Sequence, residues 1–174
     1  LVGSEMCIRD SPKTVDYNLW CGPAPVDPVM RKQFHYDWHW FWDYGCGDIG
    51  NQGIHEMDKS RWALNKPLLA QGVVSVGGRF GYIDEGQTPN TQIAVFDYGD
   101  AELIFEVRGL RTDPLRDVKV GNIIYGTEGY LVIPSYDAAI AFTNAGEKIK
   151  EFRGGGDHFG NFVAAIRSGK PGDL

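Results

Sequence analysis

The chain has 174 residues, with 17 Lys and Arg against 23 Asp and Glu, which gives a formal net charge of −6 at pH 7. A mildly acidic chain without a basic cluster argues against nucleic acid as a partner, and no apolar run approaches the ~20 residues that a membrane-spanning helix needs. The cysteines, Cys7, Cys21 and Cys46, have no C-x-x-C spacing, so they indicate neither a disulfide framework nor a zinc knuckle.

The first eleven residues are interpreted as non-native. Their sequence matches the translation of a transposon-end sequencing adaptor, whose codons give Leu1 through Asp10 and begin the eleventh residue. We therefore exclude residues 1–11 from fold reasoning and treat residues 12–174 as one truncated domain. On this interpretation the native chain begins upstream of Pro12 and continues past Leu174. An export signal would lie upstream, so the compartment, cytoplasmic or periplasmic, stays open.

Two strands are predicted before the first glycine-rich turn. Residues 13–25 predict a short strand that gives way to Gly22-Pro23-Ala24-Pro25, a sequence that breaks regular structure. Residues 34–42 alternate two kinds of side chain, and this period of two predicts a second strand. One face of the second strand would carry His35, Asp37 and His39.

The glycine-rich turn and the helix after it are the most informative stretch of the chain. A helix is predicted over residues 50–64, and one stripe of it carries Ile54, Met57, Arg61 and Leu64. Asn51 and His55 share another face of this helix because they are four residues apart. The glycines at positions 45, 47, 50 and 53 would let a ligand approach the backbone closely. An imidazole accepts and returns protons near neutral pH, so His55 is the main acid–base candidate.

From Val73 onward the sequence predicts strands separated by turns. They cover residues 73–82, 92–98, 101–108, 120–125, 130–134, 138–143 and 148–152. Short glycine-containing turns such as Gly99-Asp100 join them into hairpins, and a last helix is predicted over 157–168. The predicted class is α+β: a largely antiparallel, open β-sheet with helices packed on one face.

Several motifs, taken together, resemble one protein family. They are Trp40-x-Trp42, the run Gly47-Asp48-Ile49-Gly50-Asn51-Gln52-Gly53-Ile54-His55 with Asp58 and Arg61-Trp62, the segment from Asp16 to Pro25, and Gly77-Gly78-Arg79-Phe80-Gly81-Tyr82. This set resembles the C-terminal domain of the Gfo/Idh/MocA oxidoreductases, the relatives of glucose–fructose oxidoreductase and inositol dehydrogenase. The resemblance implies the substrate-binding and oligomerisation domain of a two-domain dehydrogenase. The dinucleotide-binding (Rossmann) domain, with its G-x-G-x-x-G fingerprint, is not in this sequence.

The resemblance also implies an activity and an assignment of residues. The whole enzyme would be an NAD(P)-dependent oxidoreductase acting on a sugar, a polyol or a related carbohydrate. His55 matches the family's catalytic histidine and would take a hydroxyl proton while hydride passes to the cofactor. Asn51 stands where the family has an acid. Its amide exchanges no proton at neutral pH and would orient the substrate instead, with Asp48 as a replacement carboxylate.

Further residues complete the expected site. Asp48, His35 and Asp37 are expected to bind the substrate, and Trp20 is expected to form a wall for the cofactor. NAD or NADP would be held mainly by the other domain, so we expect this chain alone to be inactive. A homo-oligomer is expected to form through the uncovered sheet face, with Ile93, Val95, Ile104 and Val132 in the interface.

Three alternatives stay open from the sequence. His35-x-Asp37-x-His39, with His55 or Glu56, has the residue types of a metal site. Trp38, Trp40 and Trp42 on one strand face would suit a non-catalytic carbohydrate-binding domain, because sugar rings stack on indoles. The third alternative is a redox-neutral, NAD-dependent glycoside hydrolase of the same family.

Overall fold

The computed structural model describes residues 10–173, so nearly all of the adaptor-like segment lies outside the described residues. The chain divides into two compact units, Leu1–Asp113 and Pro114–Leu174. The first unit contains α1 (Tyr17–Cys21), a 3₁₀ helix (Asp37–Trp40), α2 (Asp48–Asn51), α3 (Gly53–Ala63), β1 (Gly72–Gly78), β2 (Thr91–Asp97) and β3 (Glu102–Arg108). The second unit contains β4 (Asn122–Tyr125), β5 (Gly129–Ser135), β6 (Ala138–Thr143), β7 (Lys148–Arg153), α4 (His158–Ser168) and a 3₁₀ helix (Pro171–Asp173).

The first unit is built on an antiparallel sheet with strand order β1-β2-β3. The hairpin predicted around Gly99-Asp100 is confirmed as β2 and β3, with Ala94 opposite Phe105. Leu103 and Val107 are buried on the same face of β3 as Phe105, as the alternation predicts. This face forms the core of the unit.

Helices α2 and α3 pack against β3. Gln52 joins them with helical backbone angles (φ −79°, ψ −36°), so residues 48–63 run as one nearly continuous helix, in agreement with the helix predicted over 50–64. On the predicted stripe, Ile54 is 60 % exposed and Met57, Arg61 and Leu64 are half-buried, while Gly53 faces the sheet. A Cβ atom at Gly53 would lie 2.8 Å from Cζ of Phe105, so only glycine permits this close approach.

The second unit is an antiparallel sheet with strand order β4-β5-β6-β7. Every neighbouring pair is adjacent in sequence, and the predicted hairpins are confirmed. Val132 is buried in this sheet at 5 % exposure, so its assignment to an uncovered sheet face is wrong. Helix α4 confirms the predicted last helix. It begins where the Asp157 carboxylate accepts a hydrogen bond from the Gly160 N–H and ends at Gly169 in the left-handed conformation, as helix capping leads one to expect.

Two predicted strands are wrong. Residues 13–25 contain α1 instead, because the Asp16 carboxylate accepts a hydrogen bond from the Leu19 N–H at 3.0 Å and so caps a helix. Residues 34–42 form turns and the first 3₁₀ helix. There the Asp37 carboxylate accepts a hydrogen bond from the Gln33 N–H at 2.7 Å, and this local bond replaces strand pairing.

The α+β class is confirmed. The strands form two antiparallel sheets, one in each unit, and the first unit carries α2 and α3 against β3. All strand pairs within residues 10–173 are antiparallel, unlike the parallel pairs of a dinucleotide-binding fold. In the same range, no helix is both long enough and apolar enough to cross a membrane.

Candidate functional site

The long helix formed by α2 and α3 presents one polar stripe away from the sheet. With 3.6 residues per turn, Asp48, Asn51, His55 and Trp62 fall on one side, opposite Gly53. Asn51 and His55 are exposed, and Trp62 is 75 % exposed, about 10 Å along the helix axis from His55. The stripe therefore offers a carboxylate, an amide, an imidazole and an indole on a single face.

Asp48, at the first turn of this helix, contacts the first 3₁₀ helix. The indole N–H of Trp40 donates a hydrogen bond to Oδ2 of Asp48 at 3.4 Å, and Nε2 of His39 lies 3.8 Å from Oδ1. The structure thus brings Asp48 together with His39 and Trp40, and not with the two other predicted substrate ligands of that segment.

Those two residues, His35 and Asp37, lie apart from a common strand face because there is no strand. His35 is exposed, and its ring meets the Phe34 ring edge-on at a centroid distance of 5.0 Å. Asp37 is half-buried, and its carboxylate closes the turn with the Gln33 N–H. Neither placement tests a role in substrate binding, which stays a prediction.

The glycine turn before the helix is shaped by close packing within the chain. Gly47 has φ +78° and ψ −162°, and a Cβ there would lie 2.7 Å from Oγ1 of Thr88. A Cβ at Gly45 would lie 2.6 Å from Cα of His39. The Gly47 N–H also donates to the His39 carbonyl at 2.7 Å. These contacts explain why both positions are glycine, and no ligand is needed to explain them.

The loop from residue 79 to residue 90 supports the other side of the 3₁₀ helix. The N–H groups of Gln87 and Thr88 donate to the Trp40 carbonyl at 2.8 and 3.1 Å, and Oε1 of Gln87 accepts from the Trp42 N–H at 2.9 Å. Thr88 is completely buried. This polar loop is therefore a structural support for the residues that flank Asp48.

Arg79 holds the loop in this position. Its guanidinium donates to both carboxylate oxygens of Asp84 and, through Nη1, to the Thr88 carbonyl at 2.9 Å. The hydrogen bonds from Arg79 lower the pKa of Asp84. The pKa of Arg79 is raised, chiefly by the hydrogen bond with Asp84, and Asp48 contributes to this shift. Arg79 thus links the loop electrostatically to the start of the helix.

Trp20, the predicted cofactor wall, belongs to an aromatic cage around Arg31. The guanidinium carbon of Arg31 lies 4.4 Å from the centroid of the Trp20 ring and 4.3 Å from that of Phe34, with Tyr17 and Tyr44 completing the cage. Arg31 is only 3 % exposed, and its Nε donates to the Phe34 carbonyl at 2.8 Å. Burial, with hydrogen bonding to Tyr17 and Cys21, raises the pKa of Tyr44.

Two of the alternatives, the metal site and the carbohydrate-stacking tryptophans, depend on a strand at residues 34–42. Within the described part of the chain, no three His, Cys, Asp or Glu side chains lie close enough together to hold a metal ion. His39 is buried and faces Asp48, whereas His35 is exposed. The three tryptophans lie on the 3₁₀ helix and just after it, so they do not form the flat strand face that the stacking interpretation required.

Sequence reasoning missed the contact between His39 and Asp48 and the aromatic cage around Arg31. The period of two groups His39 with His35, and no motif marks Arg31. The available signal for His39 was its position in a dense aromatic run just before a glycine turn. Such a run can be buried on several sides when the backbone turns.

The chain matches a known protein family. A family model described as oxidoreductase family, C-terminal alpha/beta domain, covers residues 2–170. Neither the curated proteins nor the solved structures compared with the chain match it. The matched range includes both units and the whole stripe from Asp48 to Trp62. It begins inside the adaptor-like segment, whose non-native origin stays a prediction.

Proposed function

This chain belongs to the Gfo/Idh/MocA oxidoreductase family, and from that premise we propose that it is the substrate-binding part of an NAD(P)-dependent oxidoreductase for a sugar, a polyol or a related carbohydrate. The observation that carries the proposal is the polar stripe of the long helix. Asn51 and His55 lie exposed on the face opposite the Gly53–Phe105 contact. An imidazole and an amide side by side suit the recognition of a hydroxyl group and the removal of its proton.

Each side chain of the stripe has a proposed role. His55 takes the hydroxyl proton as the substrate carbon loses hydride and its C–O bond becomes a carbonyl. Asn51 holds the reacting hydroxyl by hydrogen bonding, and Trp62 offers its exposed indole to the sugar ring. Asp48 supplies a carboxylate next to Asn51, and His35 and Asp37 bind further hydroxyls.

The nicotinamide, when bound, accepts the hydride. We propose that the dinucleotide is held mainly by a domain outside this chain. Trp20 is the one cofactor contact that we assign within it. Arg31 and three aromatic rings pack around Trp20, so this contact would use the part of the half-buried indole that stays exposed.

The test is nicotinamide absorbance during turnover by the protein that contains this chain together with its dinucleotide-binding domain, assayed with a panel of polyols and sugars. His55→Asn should lower kcat/KM by about 10²–10⁴-fold, the usual value of a general base. His158→Asn, on exposed α4, is the matched control and should leave kcat/KM unchanged. Wild-type turnover by His55→Asn would refute the assignment of the base.

The same assay separates the remaining readings. Product formation without a net absorbance change would favour the redox-neutral glycoside hydrolase, and carbohydrate binding without any product would favour the non-catalytic binding domain. The 174-residue chain assayed alone should show no turnover. Measurable nicotinamide reduction by that chain would contradict the proposal that the dinucleotide is held mainly by another domain.

We also propose that a second copy of the chain covers the outer face of the three-stranded sheet. Strand register aligns Val74, Val95 and Ile104 on this face, and Val76 lies beside Ile93. Val74, Val76 and Ile104 are 73 %, 71 % and 59 % exposed. A continuous apolar patch of this kind marks an interaction surface, and an isologous dimer brings the same patch from both copies together.

Sedimentation velocity tests this interface. Ile104→Lys should shift the protein toward the monomer mass, because a charge on the patch opposes its burial. Ile83→Lys is the matched control, since Ile83 is 92 % exposed in the polar loop and lies off the patch. An unchanged mass for Ile104→Lys, or a monomeric wild type, would refute the proposal.

A further inference from the structure

The ring of His39 is held in one orientation. It is 2 % exposed, and its Nδ1 lies 2.7 Å from the Tyr36 carbonyl oxygen. A carbonyl oxygen only accepts hydrogen bonds, so the Nδ1 atom carries a proton. This backbone contact fixes which nitrogen is left to face Asp48.

That second nitrogen, Nε2, is buried and has no hydrogen-bond partner, and it points toward Oδ1 of Asp48 at 3.8 Å. Asp48 is held as an acceptor, since its Oδ2 receives the Trp40 indole N–H and Arg79 interacts with its negative charge. A neutral His39 would thus direct a bare lone pair at a carboxylate, which is unfavourable in a buried position. A proton on Nε2 turns the same contact into an attractive pair.

The rings around His39 carry no charge. Three aromatic rings lie around the imidazole, those of Trp40, Tyr36 and Trp38, at centroid distances of 4.2, 5.2 and 5.8 Å. Gln87 and Thr88, from the loop packed on this segment, are uncharged. Arg79 is the cation linked to the pair, and it acts on Asp48.

We propose that His39 and Asp48 hold one additional proton between them and that His39 is thereby a positioning residue. It fixes the Asp48 carboxylate at the start of the helix that carries Asn51 and His55. The shared proton follows from the geometry of the pair alone. Its use in catalysis rests on the proposed function, in which Asp48 supplies a carboxylate next to Asn51.

Histidine-selective ¹⁵N NMR of the 174-residue chain tests the pair without substrate or cofactor. At neutral pH, His39 should show protons on both ring nitrogens. In Asp48→Asn the ratio of charged to neutral His39 should fall about tenfold, which corresponds to about 1.4 kcal/mol, and the neutral form should keep its proton on Nδ1. Asp58→Asn, which removes a carboxylate from the same helix face, is the matched control and should leave His39 unchanged.

The outcomes are distinct. A neutral Nδ1-protonated His39 together with a protonated Asp48 carboxyl, seen in the side-chain ¹³C spectrum, would also support a shared proton. A neutral His39 facing an ionised Asp48 would overturn the proposal, and so would a charged wild-type His39 whose charge state is unchanged in Asp48→Asn. The wild-type spectrum distinguishes a shared proton from its absence even if Asp48→Asn fails to fold. Because no turnover is measured, failure here is separate from failure of the proposed function.

Discussion

Two regions of the molecule use the same kinds of residue in different ways: the aromatic segment (residues 34–47) and the four-stranded sheet (residues 122–153). Each has arginine over aromatic rings and a glycine with positive φ. The aromatic segment is held by distant parts of the chain, such as the loop that bonds the Trp40 carbonyl. The sheet is held by strands that follow each other in sequence. Long-range support makes the aromatic segment the more sensitive region to single substitutions.

The largest difference is expected between two glycines. Gly47→Ala forces alanine into a backbone region that is essentially restricted to glycine and pushes its Cβ against Thr88. We expect a loss of about 3–5 kcal/mol in the free energy of unfolding. Gly146 also has a positive φ, +87°, but a Cβ atom added there would meet only the Tyr130 hydroxyl, at 3.8 Å. Gly146→Ala should therefore cost only the strain, about 1–2 kcal/mol.

Urea denaturation measures both variants. All five tryptophans lie in the first unit, so their fluorescence follows Gly47→Ala, and far-ultraviolet circular dichroism follows Gly146→Ala. Gly72→Ala is the control for alanine substitution itself, because nothing lies within 4 Å of a Cβ at that position. An equal loss in the free energy of unfolding for Gly47→Ala and Gly146→Ala would show that the two regions do not differ in their sensitivity to substitution.

The same distinction explains which parts of the fold could be predicted. Hairpins such as β2–β3 follow from a short turn between alternating strands, and both signals are local in sequence. The aromatic segment has the same alternation, but Phe41 and His39 are both buried, and the backbone on both sides of Phe41 is hydrogen-bonded to partners in the distant loop, Gln87 and Thr88. A pattern of residues does not reveal such partners, and the predicted strand was therefore wrong.

The candidate site also has features that could be predicted from the sequence and features that could not. The shared face of Asn51 and His55 could be predicted because spacing alone fixes it on a helix. The proximity of Asp48 to His39 could not, because it depends on the 3₁₀ turn and on the close approach at Gly45. The packing of α3 through Gly53 was missed for a related reason: an apolar stripe is visible in sequence, whereas a close contact to Phe105 is not.

Two stacked arginines provide the second prediction. Arg31 is buried among four aromatic rings, and Arg31→Lys removes both the planar stacking and the Nε hydrogen bond to the Phe34 carbonyl. We expect it to lower the free energy of unfolding by about 1–3 kcal/mol. Arg116 lies over the Tyr130 ring at 3.9 Å, but it is exposed, so Arg116→Lys should have little effect.

Tryptophan fluorescence follows the unfolding of Arg31→Lys, since Trp20 is part of its cage, and circular dichroism follows Arg116→Lys. Arg31→Met would separate the contribution of side-chain shape from that of charge, because methionine has an unbranched apolar side chain and carries no charge. A free energy of unfolding equal to wild type for Arg31→Lys would show that the cage does not depend on the guanidinium.

The smallest expected difference concerns two carboxylates and the pH dependence of stability. The hydrogen bonds from Arg79 lower the pKa of Asp84, so its contribution is present above the ordinary aspartate pKa of ~3.9 and is lost as pH falls through the lowered value. Asp84→Asn should remove at most about 1 kcal/mol at neutral pH, because the Asp84 side chain is 36 % exposed. It should also flatten the acid limb of the stability profile.

Glu151 is the counterpart in the four-stranded sheet. Hydrogen bonds from Lys148 and Arg153 lower its pKa, but the Lys148 and Arg153 side chains are 53 % and 76 % exposed, so these ion pairs are screened by salt. Urea midpoints measured across the acid range at low salt and at about 1 M salt compare Asp84→Asn with Glu151→Gln. The Asp84 effect should persist at high salt, because Arg79 is half-buried and also bonds the Thr88 carbonyl, whereas the Glu151 effect should vanish. If both effects vanish, the Arg79 contact is an ordinary surface ion pair, and the loop is held against the aromatic segment by its hydrogen bonds to the backbone of Trp40 and Trp42.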